Sequence, residues 1–401
     1  MSGVVIIGAG HAGSQLAVSL RAEGYAGAVT LIDASDVLPY HKPPLSKTFL
    51  KDPAALPQPL RAASAYDAAG VVRRKGSVTA IDTAAQRVTL DGESLPYGDL
   101  VLATGARNRM LPDLLGASNV LSLRDLADAE RLRDALAMAH SITVIGGGFI
   151  GLESAAALAG MGKSVTVLEA APRMLARVAA PETSARVEDT LAGLGVKLRL
   201  GWTTQNYRRD GDRVTAVLGT TDELSCDLIL VGIGAVADTA LAQAAGIACN
   251  MGILTDAHLQ TSAPHVWAIG DVAETPHWQA GAALRVESVQ NATDQARHLA
   301  RILSGAALTP FRTVPWFWSD IGPLKLQIAG LAIGADRRVV RDDGARLAVF
   351  HLAGDRLMSV ETLNNPADHM IARQVLDSGR TPPDAVMVEG AAAMKAWLAQ
   401  G

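Results

Sequence analysis

The feature that most constrains this chain is an internal duplication of one strand–turn–helix–strand pattern. A β-branched run enters a glycine-rich turn at residues 4–13, and the same pattern returns at residues 142–151. Each turn is followed by an Ala/Leu-rich helical segment (residues 14–23 and 152–161). Each copy then returns to a β-branched run that ends in an acid. This order is typical of the βαβ unit of a parallel sheet, so the sequence predicts an α/β protein that builds this unit twice.

The glycines of both turns follow the spacing G-x-G-x-x-G. They are Gly8, Gly10 and Gly13 in the first copy and Gly146, Gly148 and Gly151 in the second. The first glycine permits a tight turn, the second lets the backbone approach a pyrophosphate, and the third lets the helix pack on the strand. The helix N-terminus adds free N–H groups and partial positive charge. The alternative is that these glycines only shape tight turns and bind no dinucleotide. That explanation would have to account for the same spacing in both copies.

The acids at the ends of the second strands are Asp33 and Glu169. Both follow the first glycine at roughly the ~20-residue distance from which a carboxylate reaches a ribose hydroxyl. A carboxylate there repels a 2′-phosphate, so we expect the second site to prefer NADH to NADPH. Arg173 and Arg177 follow Glu169 and offer the alternative of a phosphate clamp, although solvated arginines are commoner.

Composition excludes several other classes of protein. The 401 residues are 49% hydrophobic and 19% charged, which excludes disorder as the main state. The formal net charge is −4, so we expect neither a nucleic-acid binder nor a membrane-surface binder. No apolar stretch approaches the ~20 residues of a membrane span, and no targeting segment is recognisable, so we expect a cytoplasmic protein. The two cysteines, Cys226 and Cys249, form neither a CxxC motif nor a metal-ligand pattern.

Five further motifs accompany the glycine turns: Pro-Pro-Leu-Ser-Lys, Ala-Thr-Gly-Ala-Arg, Ala-Ile-Gly-Asp, Val-Glu-Ser-Val-Gln-Asn-Ala and Pro-Trp-Phe-Trp-Ser-Asp. They occupy residues 43–47, 103–107, 268–271, 286–292 and 315–320. With these motifs the chain resembles, over essentially its whole length, the FAD-dependent NAD(P)H:ferredoxin reductases of oxygenase systems. Those flavoproteins have two dinucleotide-binding domains and are built like glutathione reductase.

The resemblance implies a fold of two Rossmann-like domains followed by a C-terminal α+β domain. The FAD-binding domain would be discontinuous and would comprise residues 1–105 and 234–310. The NAD-binding domain would occupy residues 106–233, and the C-terminal domain residues 311–401.

The same resemblance implies roles for individual residues. Those implied to bind cofactor are Gly8, Gly10, Ala12, Gly13, Asp33, Lys47, Val78, Ala103, Thr104, Gly105, Arg124, Gly146, Gly148, Ile150, Gly151, Glu169, Gly234, Asp271, Glu287, Ser288 and Val289. Those implied to take part in catalysis are Lys47 beside the flavin, Glu153 near the nicotinamide and paired with Lys47, and Trp318. No metal site is expected.

Several of these residues have ordinary structural alternatives. Lys47 has the alternative of a solvated loop lysine, and Glu153 that of a first-turn helix carboxylate favoured by the helix dipole. A solvated side chain is the alternative for Glu287, which would otherwise meet the nicotinamide carboxamide. Trp316 and Trp318 alternate along a strand, so we expect one ring to face the core and the other the flavin.

The cysteine count bears on function. Disulfide reductases of this architecture carry a cysteine pair just after the first βαβ unit, where this chain has residues 43–47. Reduced flavin would therefore pass its electrons to an external acceptor, and the resemblance implies an iron–sulfur ferredoxin that supplies a haem monooxygenase or a ring-hydroxylating dioxygenase. The alternatives are an NADH oxidase-type flavoenzyme and a non-enzymatic flavoprotein that senses NADH.

Overall fold

The computed structural model describes residues 3–400. Within them the strands are β1 Val4–Ile7, β2 Val29–Asp33, β3 Val71–Lys75, β4 Val78–Asp82, β5 Arg87–Leu90, β6 Glu93–Pro96, β7 Asp99–Leu102, β8 Ala106–Asn108, β9 Val120–Ser122, β10 Ser141–Ile145, β11 Ser164–Glu169, β12 Lys197–Leu200, β13 Asn206–Asp210, β14 Arg213–Leu218, β15 Glu223–Ser225, β16 Leu228–Val231, β17 Ala235–Ala237, β18 Ile253–Leu254, β19 Val266–Ala268, β20 Ala273–His277, β21 Ala282–Leu284, β22 Trp316–Ile321, β23 Leu324–Gly330, β24 Arg337–Asp342, β25 Leu347–Ala353 and β26 Arg356–Leu363.

The helices of the same residues are α1 His11–Ala22, α2 Thr48–Lys51, α3 Ala63–Ala68, α4 Leu126–Leu136, α5 Phe149–Gly160, α6 Pro181–Gly193, α7 Ala240–Ala244, α8 Val289–Leu303, α9 Pro366–Ser378, α10 Asp384–Glu389 and α11 Ala391–Leu398. Short 3-10 turns occur at Pro43–Ser46, Pro112–Leu114 and Gly270–Val272. The chain divides into two compact units. Unit 1 comprises the described residues up to His41 together with Gln58–Arg107 and Val236–Phe317; unit 2 comprises Lys42–Pro57, Asn108–Ala235 and the described residues from Trp318 onward.

Unit 1 is built on a parallel sheet with strand order β19-β7-β1-β2-β3. Helices α1 and α8 cover one face, where fully buried side chains such as Ile6, Leu16 and Leu299 pack together. The antiparallel strands β4, β5 and β6 are inserted between β3 and β7.

Unit 2 repeats this topology with the strand order β12-β11-β10-β16-β9, again all parallel. The antiparallel strands β13, β14 and β15 are inserted at the equivalent point, between β12 and β16. The duplication therefore extends beyond the two βαβ units that the sequence pattern indicates. Helices α1 and α5 begin directly after the middle glycines, three residues earlier than the predicted segments.

The C-terminal part of the chain has the predicted α+β character. Its sheet has the order β22-β23-β26-β25-β24, and its neighbouring strands β23, β26, β25 and β24 are antiparallel. Helix α9 packs against β23 and β26. Trp316 and Trp318 both lie in β22 and are half-buried. Side chains two residues apart share one face of a strand, so the prediction that these two rings face opposite ways is wrong.

Apart from boundary shifts of two to seven residues, the compact units differ from the four predicted segments in two places. Residues 42–57 interrupt unit 1 and belong to unit 2, because Phe49 and Leu50 are buried where α2 packs against α4 and α5. The residues from Trp318 onward also belong to unit 2, with the predicted NAD-binding segment. The assignment of one cofactor to each segment stays a prediction.

Candidate functional site

The first glycine of each turn is held in a backbone conformation that side chains rarely adopt. Gly8 has φ = 100° and Gly146 has φ = 111°. A Cβ atom on Gly8 would lie 2.3 Å from the carbonyl oxygen of Ala103, and one on Gly146 would lie 2.5 Å from that of Gly232. Both the left-handed conformation and the close approach of a neighbouring strand therefore require glycine.

The last glycine of each turn allows the helix to pack closely on its strand. A Cβ atom on Gly13 would lie 1.9 Å from the Gly8 oxygen, and one on Gly151 would lie 2.4 Å from the Gly146 oxygen. These glycines fill structural roles that any dinucleotide-binding βαβ unit needs.

The middle glycines are different because they face open space. A Cβ atom on Gly10 would meet nothing within 4 Å, and one on Gly148 would approach only the Gly232 oxygen, at 3.8 Å. These two glycines are the N-caps of α1 and α5, and within residues 3–400 no side chain caps either helix. Each turn is thus an open cradle with backbone N–H groups at a helix N-terminus, which fits the pyrophosphate of a dinucleotide.

The two acids at the strand ends occupy matching positions. Asp33 Oδ2 accepts the N–H of Ala9 at 2.8 Å, and Glu169 Oε2 accepts the N–H of Gly147 at 2.6 Å. The other oxygen of each carboxylate accepts the N–H two residues downstream, at 2.8 Å and 2.7 Å respectively. Each acid therefore lies against its glycine turn, where the ribose next to a bound pyrophosphate is expected.

Two of the further motifs meet the first glycine turn in unit 1. Ala103 closes over Gly8, and a Cβ atom on Gly270 would lie 2.9 Å from the Cβ of Ala12. Gly270 N–H donates to Gln295 Oε1 at 2.7 Å, and Asp271 follows it in the 3-10 turn. The structure thus brings the Ala-Thr-Gly and Gly-Asp motifs together at the N-terminus of α1.

The remaining predicted residues of unit 1 lie in the following places. Thr104 Oγ1 donates to the Asp238 carbonyl at 2.8 Å, and Gly105 accepts the Asp238 N–H at 3.0 Å. Val78 is half-buried at the start of β4. Glu287 is ion-paired with Arg285, Ser288 accepts the Asn291 N–H at 3.0 Å as N-cap of α8, and Val289 is the first residue of that helix.

In unit 2 three predicted residues lie near chain turns. Arg124 donates its backbone N–H to Asp128 at 2.9 Å. Gly234 has φ = 105° and accepts the N–H of Arg109 at 3.0 Å. Ile150 is the second residue of α5 and lies beside the open cradle. It is 46% exposed, which is unusual for an isoleucine. Contact of these residues with a cofactor stays a prediction.

Glu153 and Lys47, both predicted to be catalytic, form an ion pair in unit 2. The Lys47 Nζ atom lies 3.1 Å from Glu153 Oε1 and 3.1 Å from Asp320 Oδ2. Glu153 is 5% exposed and also accepts hydrogen bonds from the hydroxyls of Ser46 and Ser319, both at 2.6 Å. Ser46, Ser319 and Asp320 are not among the residues predicted from the sequence. All three lie inside motifs that were recognised in the sequence, but their sequences do not show which partners they meet.

The two arginines after Glu169 differ in how far their side chains are already engaged by hydrogen bonds within the protein. The guanidinium of Arg173 donates to the carbonyls of Ala176 and Ala179 and to the hydroxyl of Ser184, at distances between 2.6 and 2.9 Å. It is therefore committed to its own loop. Arg177 is exposed.

Neither of the two cysteines lies in an environment that favours thiol redox chemistry. Cys226 is buried in the core of unit 2 beside Val217 and Ile229, and burial raises the pKa of its thiol. Cys249 belongs to unit 1, and burial raises its pKa as well. Higher thiol pKa values leave less of the reactive thiolate, so neither cysteine is suited to a dithiol relay.

Comparison with known proteins decides the family. The pyridine nucleotide-disulphide oxidoreductase family matches residues 2–296, and the reductase C-terminal family matches residues 316–398. The chain belongs to the pyridine nucleotide-disulphide oxidoreductases. Rhodocoxin reductase of Rhodococcus erythropolis is 42% identical over 93% of this chain and 89% of its own length, and putidaredoxin reductase of Pseudomonas putida is 41% identical over 93% and 91%.

Solved structures agree with this membership. The crystal structure of a covalent putidaredoxin reductase–putidaredoxin complex matches with a TM-score of 0.94 and 38% identity, covering 100% of this chain and 98% of that one. The predicted resemblance and fold class are therefore confirmed, and the chain is an oxidoreductase with FAD and NAD(H) as its cofactors. Within residues 3–400, no helix is long and apolar enough to cross a membrane.

Proposed function

We propose that the chain is an NADH-dependent flavoprotein reductase that passes electrons through FAD to an iron–sulfur ferredoxin, which supplies a haem monooxygenase or a ring-hydroxylating dioxygenase. The observation that carries this proposal is the pair of open glycine cradles, combined with a chain that lacks the cysteine pair of disulfide reductases. Relatives that match this chain over nearly its full length are named rhodocoxin reductase and putidaredoxin reductase, and another is named ferredoxin–NAD(P)(+) reductase.

Each cradle is assigned one cofactor. The turn of Gly8, Gly10 and Gly13 with Asp33 would hold FAD, and the turn of Gly146, Gly148 and Gly151 with Glu169 would hold NADH. The bound cofactors supply hydride chemistry, and the protein supplies binding, orientation and electrostatics. Glu153 lies in α5, the helix whose N-terminus forms the second cradle, and its ion-pair partner Lys47 lies beside this helix. We assign Glu153 to the nicotinamide end of that cradle and its ion-pair partner Lys47 to a place beside the flavin.

The preference for NADH is supported by the contacts of Glu169 and Arg173. A carboxylate at the end of β11 repels a 2′-phosphate, and Arg173 is engaged by its own loop. We place the protein in the cytoplasm, where NADH is produced and where free thiols such as those of Cys226 and Cys249 persist. To Trp318 we assign a part in passing electrons from the flavin to the ferredoxin.

The decisive experiment mixes the FAD-loaded protein with NADH in an anaerobic stopped-flow instrument and then adds a panel of ferredoxins from the same cell. We expect NADH to bleach the flavin absorbance and one ferredoxin to restore it quickly. Oxygen consumption without ferredoxin at an equal rate would favour an NADH oxidase. Slow reduction followed by a long-lived charge-transfer complex would favour an NADH-sensing flavoprotein.

Replacing the acid of the second cradle should change the choice of coenzyme. We expect Glu169→Gln to reduce the NADH/NADPH preference about tenfold, because the amide no longer repels a 2′-phosphate but keeps an oxygen for the Gly147 N–H. The measurement is kcat/KM for both coenzymes. Asp33→Asn is the matched control, because it makes the same change at the equivalent position of unit 1. It should weaken FAD retention and leave the coenzyme ratio unaltered. An unaltered ratio in Glu169→Gln would contradict the assignment.

A further inference from the structure

The carboxylate of Glu153 is not required by the βαβ unit itself. The duplication provides an internal comparison, because the residue two positions after the last glycine is Gln15 in the first copy and Glu153 in the second. Gln15 accepts a hydrogen bond from Arg61 and donates one to Ser19, and its helix forms equally well. A buried carboxylate is costly unless it is paired and hydrogen-bonded. The second copy therefore keeps this buried charge only because dedicated partners surround it.

The partners of Glu153 come from two distant parts of the chain. Ser46 precedes α2, and its hydroxyl donates to Oε2 at 2.6 Å. Ser319 lies in β22, and its hydroxyl donates to Oε1 at 2.6 Å, while the backbone N–H of Asp320 reaches the same oxygen at 3.1 Å. Ser46 is 3% exposed and Ser319 is 0% exposed, so water does not compete for these hydrogen bonds. Together with Lys47, four donors fix the position of the carboxylate.

Lys47 is shared between two unequal carboxylates. The Glu153 side chain is 5% exposed, whereas the Asp320 side chain is 40% exposed, and both lie 3.1 Å from the ammonium nitrogen. An ion pair is stronger with the buried partner, because solvent screens the exposed one. The position of the ammonium group therefore depends on how firmly Glu153 is held.

We propose that Ser319 and Ser46 are positioning residues, which hold Glu153 and, through it, Lys47 in the arrangement needed for hydride transfer from NADH. This inference rests on the proposed function. Neither serine needs to touch a cofactor. Without the Ser319 hydroxyl, one short hydrogen bond to Oε1 is lost, three donors hold the carboxylate less firmly, and Asp320 draws the ammonium toward solvent.

The expected effect separates positioning from binding. We expect Ser319→Ala to lower the limiting rate of flavin reduction by NADH about tenfold, because a hydrogen bond to a buried charge is lost and a small displacement slows the reaction. The NADH concentration at half-maximal rate should change less than twofold, since Glu169 and the glycine turn are untouched. Ser319→Thr keeps the hydroxyl and should restore most of the rate. Ser46→Ala should reproduce the loss, and it carries the test if Ser319→Ala does not fold.

The matched control is Ser359→Ala. Ser359 is a buried serine of the same C-terminal sheet, but its hydroxyl donates to the Ala329 carbonyl. This variant should reduce stability without altering the limiting rate. In a Glu153→Ala background, which leaves no acceptor for the serine hydroxyl, Ser319→Ala should slow the reaction no further, because the serine acts only through Glu153.

If NADH reduces the flavin of the wild-type protein, the proposed function stands, and either of two results would then overturn this inference. One is a wild-type limiting rate in both Ser319→Ala and Ser46→Ala. The other is a loss in Ser319→Ala that adds fully to that of Glu153→Ala. A wild-type flavin that NADH fails to reduce would overturn the proposed function, and this inference with it.

Discussion

Gly148→Val is expected to raise the NADH concentration for half-maximal flavin reduction about 100-fold while the protein remains folded and yellow. Gly148 has φ = −87°, which valine adopts readily, and a Cβ atom there would meet only the Gly232 oxygen, at an ordinary contact distance of 3.8 Å. The added side chain would therefore occupy the space that the pyrophosphate needs rather than disturb the protein. Loss of two charge-assisted hydrogen bonds at the helix N-terminus corresponds to about 100-fold in affinity.

Two matched variants test this explanation. Gly160→Val places the same side chain at the other end of α5, where a Cβ atom meets nothing within 4 Å, and should leave the NADH dependence unaltered. Gly10→Val is the equivalent change in unit 1 and should give protein that loses FAD. Anaerobic stopped-flow reduction and the flavin-to-protein absorbance ratio measure the two effects. If Gly148→Val and Gly160→Val weaken NADH equally, the loss comes from the helix and not from the cradle.

The parts of the fold that sequence analysis predicted correctly are those specified by local chemistry. A glycine such as Gly8 or Gly146 is required by its own backbone angle, and the acid that ends the next strand lies on the same short unit. Such patterns can be found without knowledge of the rest of the chain. The predicted start of α1 is three residues too late, because the helix begins after its N-cap, Gly10, and not after the last glycine.

The parts that were not predicted depend on contacts between distant residues. Ser319 and Glu153 are 166 positions apart, and Ser46 and Glu153 are 107 apart. Nothing in the local sequence of a serine shows that it will donate to a buried carboxylate. For the same reason the sequence predicted Lys47 and Glu153 only through a family resemblance. The grouping of residues 42–57 with unit 2 likewise depends on packing that forms only in the folded chain.

The grouping of the C-terminal residues with unit 2 leads to the second large expected effect. Glu361 in β26 is 3% exposed, and both its oxygens accept the N–H of Ala180, at 2.8 and 3.0 Å. Ala180 is the N-cap of α6, so this carboxylate caps a helix of the predicted NAD-binding segment. Its Oε1 also lies 2.6 Å from Nε2 of the buried His351.

Glu361→Ala is expected to lower the free energy of unfolding of unit 2 by about 3 kcal/mol, because it leaves the Ala180 N–H and the His351 ring buried without their partner. Glu361→Gln keeps an oxygen for Ala180 and should cost about 1 kcal/mol. Urea unfolding of the FAD-loaded proteins, followed by circular dichroism, should show that Glu361→Ala is the least stable, Glu361→Gln intermediate and the wild type the most stable. Glu223→Ala is the control: it removes a carboxylate from an exposed ion pair with Arg208, and such pairs contribute about 0–1 kcal/mol. If Glu361→Ala unfolds at the same urea concentration as Glu223→Ala, then Glu361 does not tie the C-terminal sheet to α6.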